Sequence, residues 1–236
     1  MKQFYVIIPI MERLIVLDTE TTGIDPKEGH RIIEVAAVEI IDREITENQF
    51  RKYIYSGKAV GDSFKVHGIS DTFLRTNGIE FKKIIDDFIS FIKNSTLVIH
   101  NAPFDLGFLN NELKLIGIKD SIESFCDKNN PIIDTLKLHT ENFPRQRHSL
   151  DSLCRQFTID DSSRTKHGAL IDSIILAKVY LAMTGGQKYL FNEETNTKPQ
   201  ISEPSLVKKN IENKDNIKVI YANKDEVVTH NNYFKN

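Results

Sequence analysis

The chain has 236 residues, 40% of them hydrophobic, with 33 acidic against 31 basic side chains and a net charge of -2. That is enough for one full-sized core plus an appendage, and no apolar run reaches the ~20 residues of a membrane-spanning helix. The near-neutral balance excludes a globally basic nucleic-acid binder, so any such contact has to be local, and the two cysteines, Cys126 and Cys154, suit buried thiols in a reducing cytoplasm rather than a disulfide framework.

Residues 1–11 are apolar but lack the length and cleavage site of a signal peptide, so they read as an N-terminal extension, with Met11 a candidate true start. Leu14–Leu17 reads as a buried strand, followed directly by Asp18-Thr19-Glu20-Thr21-Thr22-Gly23. Side chains two apart on a strand share a face, so Asp18 and Glu20 aim at one point while Thr19 faces away into the domain. Two acids held that close repel, and each is costly to bury unpaired. A divalent cation between them resolves the conflict; an acidic strand end capping a turn is the plainer alternative.

Ile32–Ile41 is apolar nearly throughout, broken by Glu34 and Glu39, and reads as a central strand. Gln49–Tyr55 is expected as a third strand, and the short connections favour antiparallel neighbours. A loop holding Asp62, His67 and the cap-like Ser70-Asp71 comes next. Phe81–Lys93 repeats its apolar residues at i, i+3 and i+4, which predicts a helix with a core-facing stripe. Thr96–His100 is a short buried strand ending in His100-Asn101-Ala102-Pro103-Phe104-Asp105. The helix expected over Phe104–Ile116 places Asp105 in its first turn and Gly117 at its C-cap.

Ile132-Ile133 is a brief fifth strand leading into a helix over Asp134–Asn142, and Ser149 caps a helix over Leu150–Phe157. Ala169–Met183 is an apolar helix closed by Gly185-Gly186. Antiparallel strands followed by strand–helix alternation predict an α/β domain with a mixed sheet. Residues 192–215 are too polar to fold alone, and Ile217–Tyr221 is an apolar island within that tail.

Asp18, Glu20, Asp105 and Asp172 can thus converge from strand ends and helix starts on one sheet edge, where their hard oxygen donors favour Mg²⁺ or Mn²⁺. His167, before Gly168 and after a polar loop, suits a general base. The plainer alternatives are helix-dipole acids for Asp105 and Asp172, a turn residue for His67 and a hydrogen-bonded core group for His100. His139 and His148 carry no signal.

The segments at 18–23, 100–105 and 167–172 resemble, in order, the three motifs of the DEDDh 3'-5' exonucleases. Val66–Ile69, Ser149–Cys154 and Val179–Gln187 narrow the resemblance to the proofreading epsilon subunits of bacterial DNA polymerase III, over roughly residues 12–187. The resemblance implies a ribonuclease H-like domain over residues 12–186, with a mixed five-stranded sheet flanked by helices. It also implies two divalent ions, Mg²⁺ or Mn²⁺, held by Asp18, Glu20, Asp105 and Asp172. His167 would deprotonate water, and Asp18, Glu20, Asp62, His67 and Asp172 would contact the 3' end of DNA. Asp62 stands where relatives carry Glu.

Residues 187–236 form the expected flexible tail. Gln187, Leu190 and Phe191 resemble a motif that docks on the bacterial sliding clamp; packing of Leu190 and Phe191 back on the domain is the alternative. Residues 217–234 resemble the segment that binds the DNA polymerase III alpha subunit. The family also allows a small accessory subunit. An RNA-trimming exonuclease and a non-catalytic scaffold between clamp and polymerase are the rival functions, and a cytoplasmic location goes with all of them.

Overall fold

The computed structural model describes residues 13–185, apart from Ser163 and Thr165. The tail residues Gln187, Leu190 and Phe191 lie outside the described residues.

The centre is a five-stranded sheet in the order β3-β2-β1-β4-β5. Its strands are β1 (Arg13–Thr21), β2 (Ile32–Ile41), β3 (Glu44–Tyr53), β4 (Thr96–Ile99) and β5 (Ile132–Asp134). β1 pairs antiparallel with β2, and β2 with β3, whereas β1–β4 and β4–β5 are parallel. The sheet is therefore mixed, as expected. β3 begins five residues earlier than expected because the hairpin turns on two residues, Asp42 and Arg43, with φ of 50° and 68°. Both positive φ values define a type I′ turn, normally signalled by Asn-Gly or Asp-Gly; a Lys/Arg-type residue at the second position hides it. Arg43 uses the turn to reach across the molecule, donating from Nη2 to the Leu181 carbonyl (2.7 Å) and from Nη1 to Thr184 Oγ1 (3.1 Å).

Alternation along β1 sorts its side chains to two cores. Ile15 and Leu17 pack with Phe88 of α3 (Phe81–Ile92) and Phe108 and Leu109 of α4 (Ala102–Leu115). Leu14 and Val16 pack with Leu176, Ala177 and Tyr180 of α7 (Ala169–Gly185). Helices on both faces explain why β2 reads as continuously apolar. The segment expected as a loop contains two short helices, α1 (Phe64–His67) and α2 (Asp71–Asn77). Ser70 caps α2 by accepting from the Phe73 N–H. With α5 (Thr135–Asn142) and α6 (Leu150–Phe157), these complete the α-helices among the described residues.

Gly117, at φ 85°, ends α4 as expected: its N–H bonds the Lys114 carbonyl and that of Ile118 bonds Leu113. Both cysteines are buried and free. No helix among the described residues is long and apolar enough to cross a membrane.

Candidate active site

β1 stays paired with β2 as far as Thr21, but its parallel ladder with β4 ends at Val16. Asp18 and Glu20 therefore sit within a strand, past the point where β1 and β4 part company. Such a parting, at the carboxyl ends of parallel strands, is where open α/β sheets place ligands. Gly23 closes the motif tightly: a Cβ there would lie 2.3 Å from the His30 ring.

The same alternation that sorts the core sorts the acids. Asp18 and Glu20 share the α7 face of β1, where Asp172 sits in the first turn of α7. Thr19 shares the α4 face with Ile15 and Leu17. It does not merely face the domain: its hydroxyl donates a 2.6 Å hydrogen bond to Asp105 Oδ1, on the first turn of α4. The carboxylates thus arrive from both faces of the sheet and meet around one strand.

Their electrostatics record the crowding. Burial, together with Asp105, Glu20, Asp172 and Glu34, holds the Asp18 carboxyl well above the usual carboxylate range. Burial and then Asp172 push Glu20 up to about 8, against a weaker lowering by His167. Burial pushes Asp105 up to about 7, although the Thr19 hydroxyl pulls it down. Acids that resist ionisation when alone are the donors a divalent cation would ionise.

Asp172 behaves differently. Burial opposes its charge, but hydrogen bonds from His167 and Arg164 hold it below its ordinary value. Arg164 grips it in a fork, Nε to Oδ1 at 2.5 Å and Nη2 to Oδ2 at 2.8 Å, and Nη1 of the same guanidinium bonds Asp151. His167 Nδ1 lies 3.0 Å from Asp172 Oδ2 and 2.7 Å from Arg164 Nη2. The Asp172 hydrogen bond raises the imidazole's proton affinity, against burial and the Arg164 charge. Glu20, His167 and Asp172 each present a ligand atom, all within 4.8 Å of one another. His167, expected as a base, therefore also stands within a cation-sized group.

Three residues escaped the sequence. Arg164 looked like part of a polar loop. Glu34 looked like an interruption in an apolar strand; it is fully buried, taking Arg51 Nε at 2.7 Å and the Ala169 N–H at 3.2 Å, and so ties β2 to the start of α7. Thr19 was assigned no contact.

His67 is buried, with Nδ1 accepting from the Ile69 N–H and Nε2 3.0 Å from Ser63 Oγ. Burial, then the charges of Lys166 and His167, push its pKa down to about 4, against a hydrogen bond to the Thr21 backbone. The His167 N–H meets the Val66 carbonyl at 3.4 Å, which joins α1 to the segment that leads into α7. Asp62 is not gathered in: its side chain is 93% exposed and pairs with Lys65 at 2.7 Å.

The model of the Exonuclease family matches residues 15–180. The DNA polymerase III subunit epsilon of Buchnera aphidicola from Acyrthosiphon pisum is 46% identical over 231 residues, covering 95% of this chain and 94% of that one. The Escherichia coli K12 protein of the same name is 41% identical, covering 92% of this chain and 90% of its own length. The chain belongs to the DNA polymerase III epsilon subunit family. It is accordingly a proofreading 3'-5' exonuclease, of a family that uses divalent metal. Among solved structures, the nuclease domain of 3'hExo, a DEDDh family member bound to rAMP, is similar with a TM-score of 0.62 at 20% identity, covering 75% of this chain and 94% of that one. Exonuclease X in complex with 5' overhanging duplex DNA has a TM-score of 0.55 at 20% identity, covering 74% and 93%. Both likenesses show the ribonuclease H-like fold.

Proposed function

We propose that this epsilon-family chain removes mispaired nucleotides from the 3' end of DNA with two divalent cations, Mg²⁺ or Mn²⁺, held by Asp18, Glu20, Asp105 and Asp172. The observation that supports the reading is the mutual electrostatic crowding of Asp18, Glu20, Asp105 and Asp172 about β1, beside the cation-sized group of Glu20, His167 and Asp172. The donor set fits such ions: the oxygens are hard, the acids are crowded, and a guanidinium cation rests on Asp172. When bound, the ions supply Lewis-acid stabilisation of the reacting phosphate.

The remaining chemistry belongs to the chain's own residues. Nδ1 of His167 faces Asp172 and Arg164, so the reading assigns proton abstraction from water to Nε2, the nitrogen left for the substrate side. The water oxygen bonds to phosphorus as the bond to the 3' oxygen breaks, which releases a nucleoside 5'-monophosphate. His67, bonded to the Thr21 backbone beside Glu20, is proposed to border the terminal nucleotide.

In the cytoplasm the substrate is the primer end of a replicating chromosome. The proposed partners are the DNA polymerase III alpha subunit, through residues 217–234, and the sliding clamp, through Gln187, Leu190 and Phe191. The Buchnera match covers 95% of this chain and so runs well past residue 180, into the segment proposed to bind these partners.

Hydrolysis of single-stranded DNA and of paired and mispaired 3' ends, with Mg²⁺, tests the reading. Asp18→Ala is expected to abolish cleavage while the far-UV spectrum stays native, and full activity in that variant would sink the site assignment. His167→Ala is expected to lower turnover far more than DNA affinity. Changing Leu190 and Phe191 to Ala should abolish clamp binding and spare the nuclease.

A further inference from the structure

Three histidines stand outside the catalytic group and are joined to one another. His139 is fully buried in α5, with Nδ1 2.8 Å from His148 Nδ1 and Nε2 2.9 Å from Gln156 Oε1 of α6. His100, directly after β4, bonds Thr135 Oγ1 at 2.9 Å and also the His148 backbone. Phe143 stacks on His139 with ring centroids 4.9 Å apart. These contacts fix both ends of the loop 143–148, Phe143-Pro-Arg-Gln-Arg-His, which joins α5 to α6.

The same contacts fix where the loop lies. The His148 backbone meets His100, which stands between the end of β4 and Asn101, the N-cap of the helix whose first turn carries Asp105. Three residues after His148, Asp151 bonds Arg164, whose other nitrogens grip Asp172. The segment from His148 to Asp151 therefore runs from His100, just after β4, to the Arg164 guanidinium that holds Asp172. The loop that runs into it holds two exposed arginines, Arg145 and Arg147, and no acid. Among the described residues neither arginine makes an ion pair, whereas Arg13, Arg31, Arg51 and Arg164 are all committed to carboxylates.

We infer that the loop 143–148 is a phosphate-binding rim for the DNA strand whose 3' end occupies the active site, with Arg145 and Arg147 as the contacts and the histidine cluster as its anchor. Two unpaired guanidiniums on a pinned loop suit backbone phosphates, which they can fork without reading sequence. This explains how a chain of net charge -2 holds a polyanion: the positive charge is local. The inference rests on the nuclease reading given above.

The test measures binding of a 5'-labelled ten-nucleotide thymidylate strand by fluorescence anisotropy in EDTA, against salt, so it does not depend on cleavage. The Arg145→Gln, Arg147→Gln double variant is expected to bind roughly tenfold more weakly, with a slope of log affinity against log salt shallower by about 1.4, the share of two phosphates on a single strand. Hydrolysis of the p-nitrophenyl ester of thymidine 5'-monophosphate, which has no upstream phosphate, should be unchanged. The Arg145→Lys, Arg147→Lys variant should recover the slope, because charge is what is needed. An unchanged slope in the glutamine variant would overturn the inference, as would equal loss of the ester reaction. Failure of the wild-type chain to cleave either substrate would instead strike the nuclease reading and leave the binding test in force.

Discussion

The hydroxyl of Thr19 donates a 2.6 Å hydrogen bond to Asp105, so a residue on one face of β1 positions a carboxylate that serves its neighbours on the other. This contact is the main one that draws Asp105 toward ionisation against burial. Thr19→Val keeps the shape and removes the donor. Divalent affinity, measured by Mn²⁺ titration calorimetry, should fall about tenfold or more, in the range seen for groups that orient metal ligands, and Thr19→Ser should restore it. Unchanged affinity in the valine variant would show that Asp105 is held by helix geometry alone.

Arg164 offers the opposite case. Its guanidinium neutralises Asp172 from 2.5 and 2.8 Å, where it competes with any other cation. Arg164→Gln should tighten Mn²⁺ binding by about tenfold, the worth of roughly one charge-assisted hydrogen bond. It should also lower the melting temperature of the metal-free protein. Weaker Mn²⁺ binding would mean instead that Arg164 organises the loop for the metal.

Glu34 accepts from two donors, Arg51 and the Ala169 N–H, and an amide can accept only at its one oxygen. Glu34→Gln should therefore destabilise the fold by about 3 kcal/mol, read from urea unfolding, the low end for a broken buried ion pair because Arg51 is partly exposed. Glu34 also fixes the start of α7, two residues after His167. Turnover of the folded variant should fall as well. Native turnover in a destabilised protein would confine Glu34 to a stabilising role.

His67 supplies a pH prediction. Its folded pKa is pushed down to about 4, below the ~6.5 of an unfolded chain. Between those values the unfolded state binds the proton and the native state does not, so stability is full above pH 6.5 and falls as pH drops toward 4. His67→Asn should flatten that part of the stability curve. The ring should stay neutral, with the proton on Nε2 because Nδ1 accepts from Ile69. An imidazole carbon titrating near 6.5 in NMR spectra would contradict the burial argument.

Much of this was legible in the chain itself. The acids and His167 stood in three ordered motifs, and α3, α4, α6 and α7 were long enough for apolar spacing or end signals to show. The parts that were not legible share physical reasons. α1 and α2, at four and seven residues, are too short to display a helical period. The β2–β3 turn places Asp42 and Arg43 at positive φ, where glycine or asparagine would have announced it. Arg164 reaches Asp172 through a long side chain, which no local pattern records. Thr19 was read by strand alternation only as facing into the domain, although alternation is what delivers it to Asp105. Asp62, singled out by resemblance, sits on the surface with Lys65.

Arg43 bonds the Leu181 carbonyl and Thr184 at the far end of the same helix that begins beside Asp172. From Asp172 to Gly185 a straight helix advances about 20 Å. α7 is therefore a measured spacer, bolted to the sheet at one end by Glu34 and at the other by Arg43. The last turn of α7 therefore keeps a constant offset from Asp172 at its start. One helix thus carries a fixed length from the carboxylate at its first turn to the arginine staple at its last.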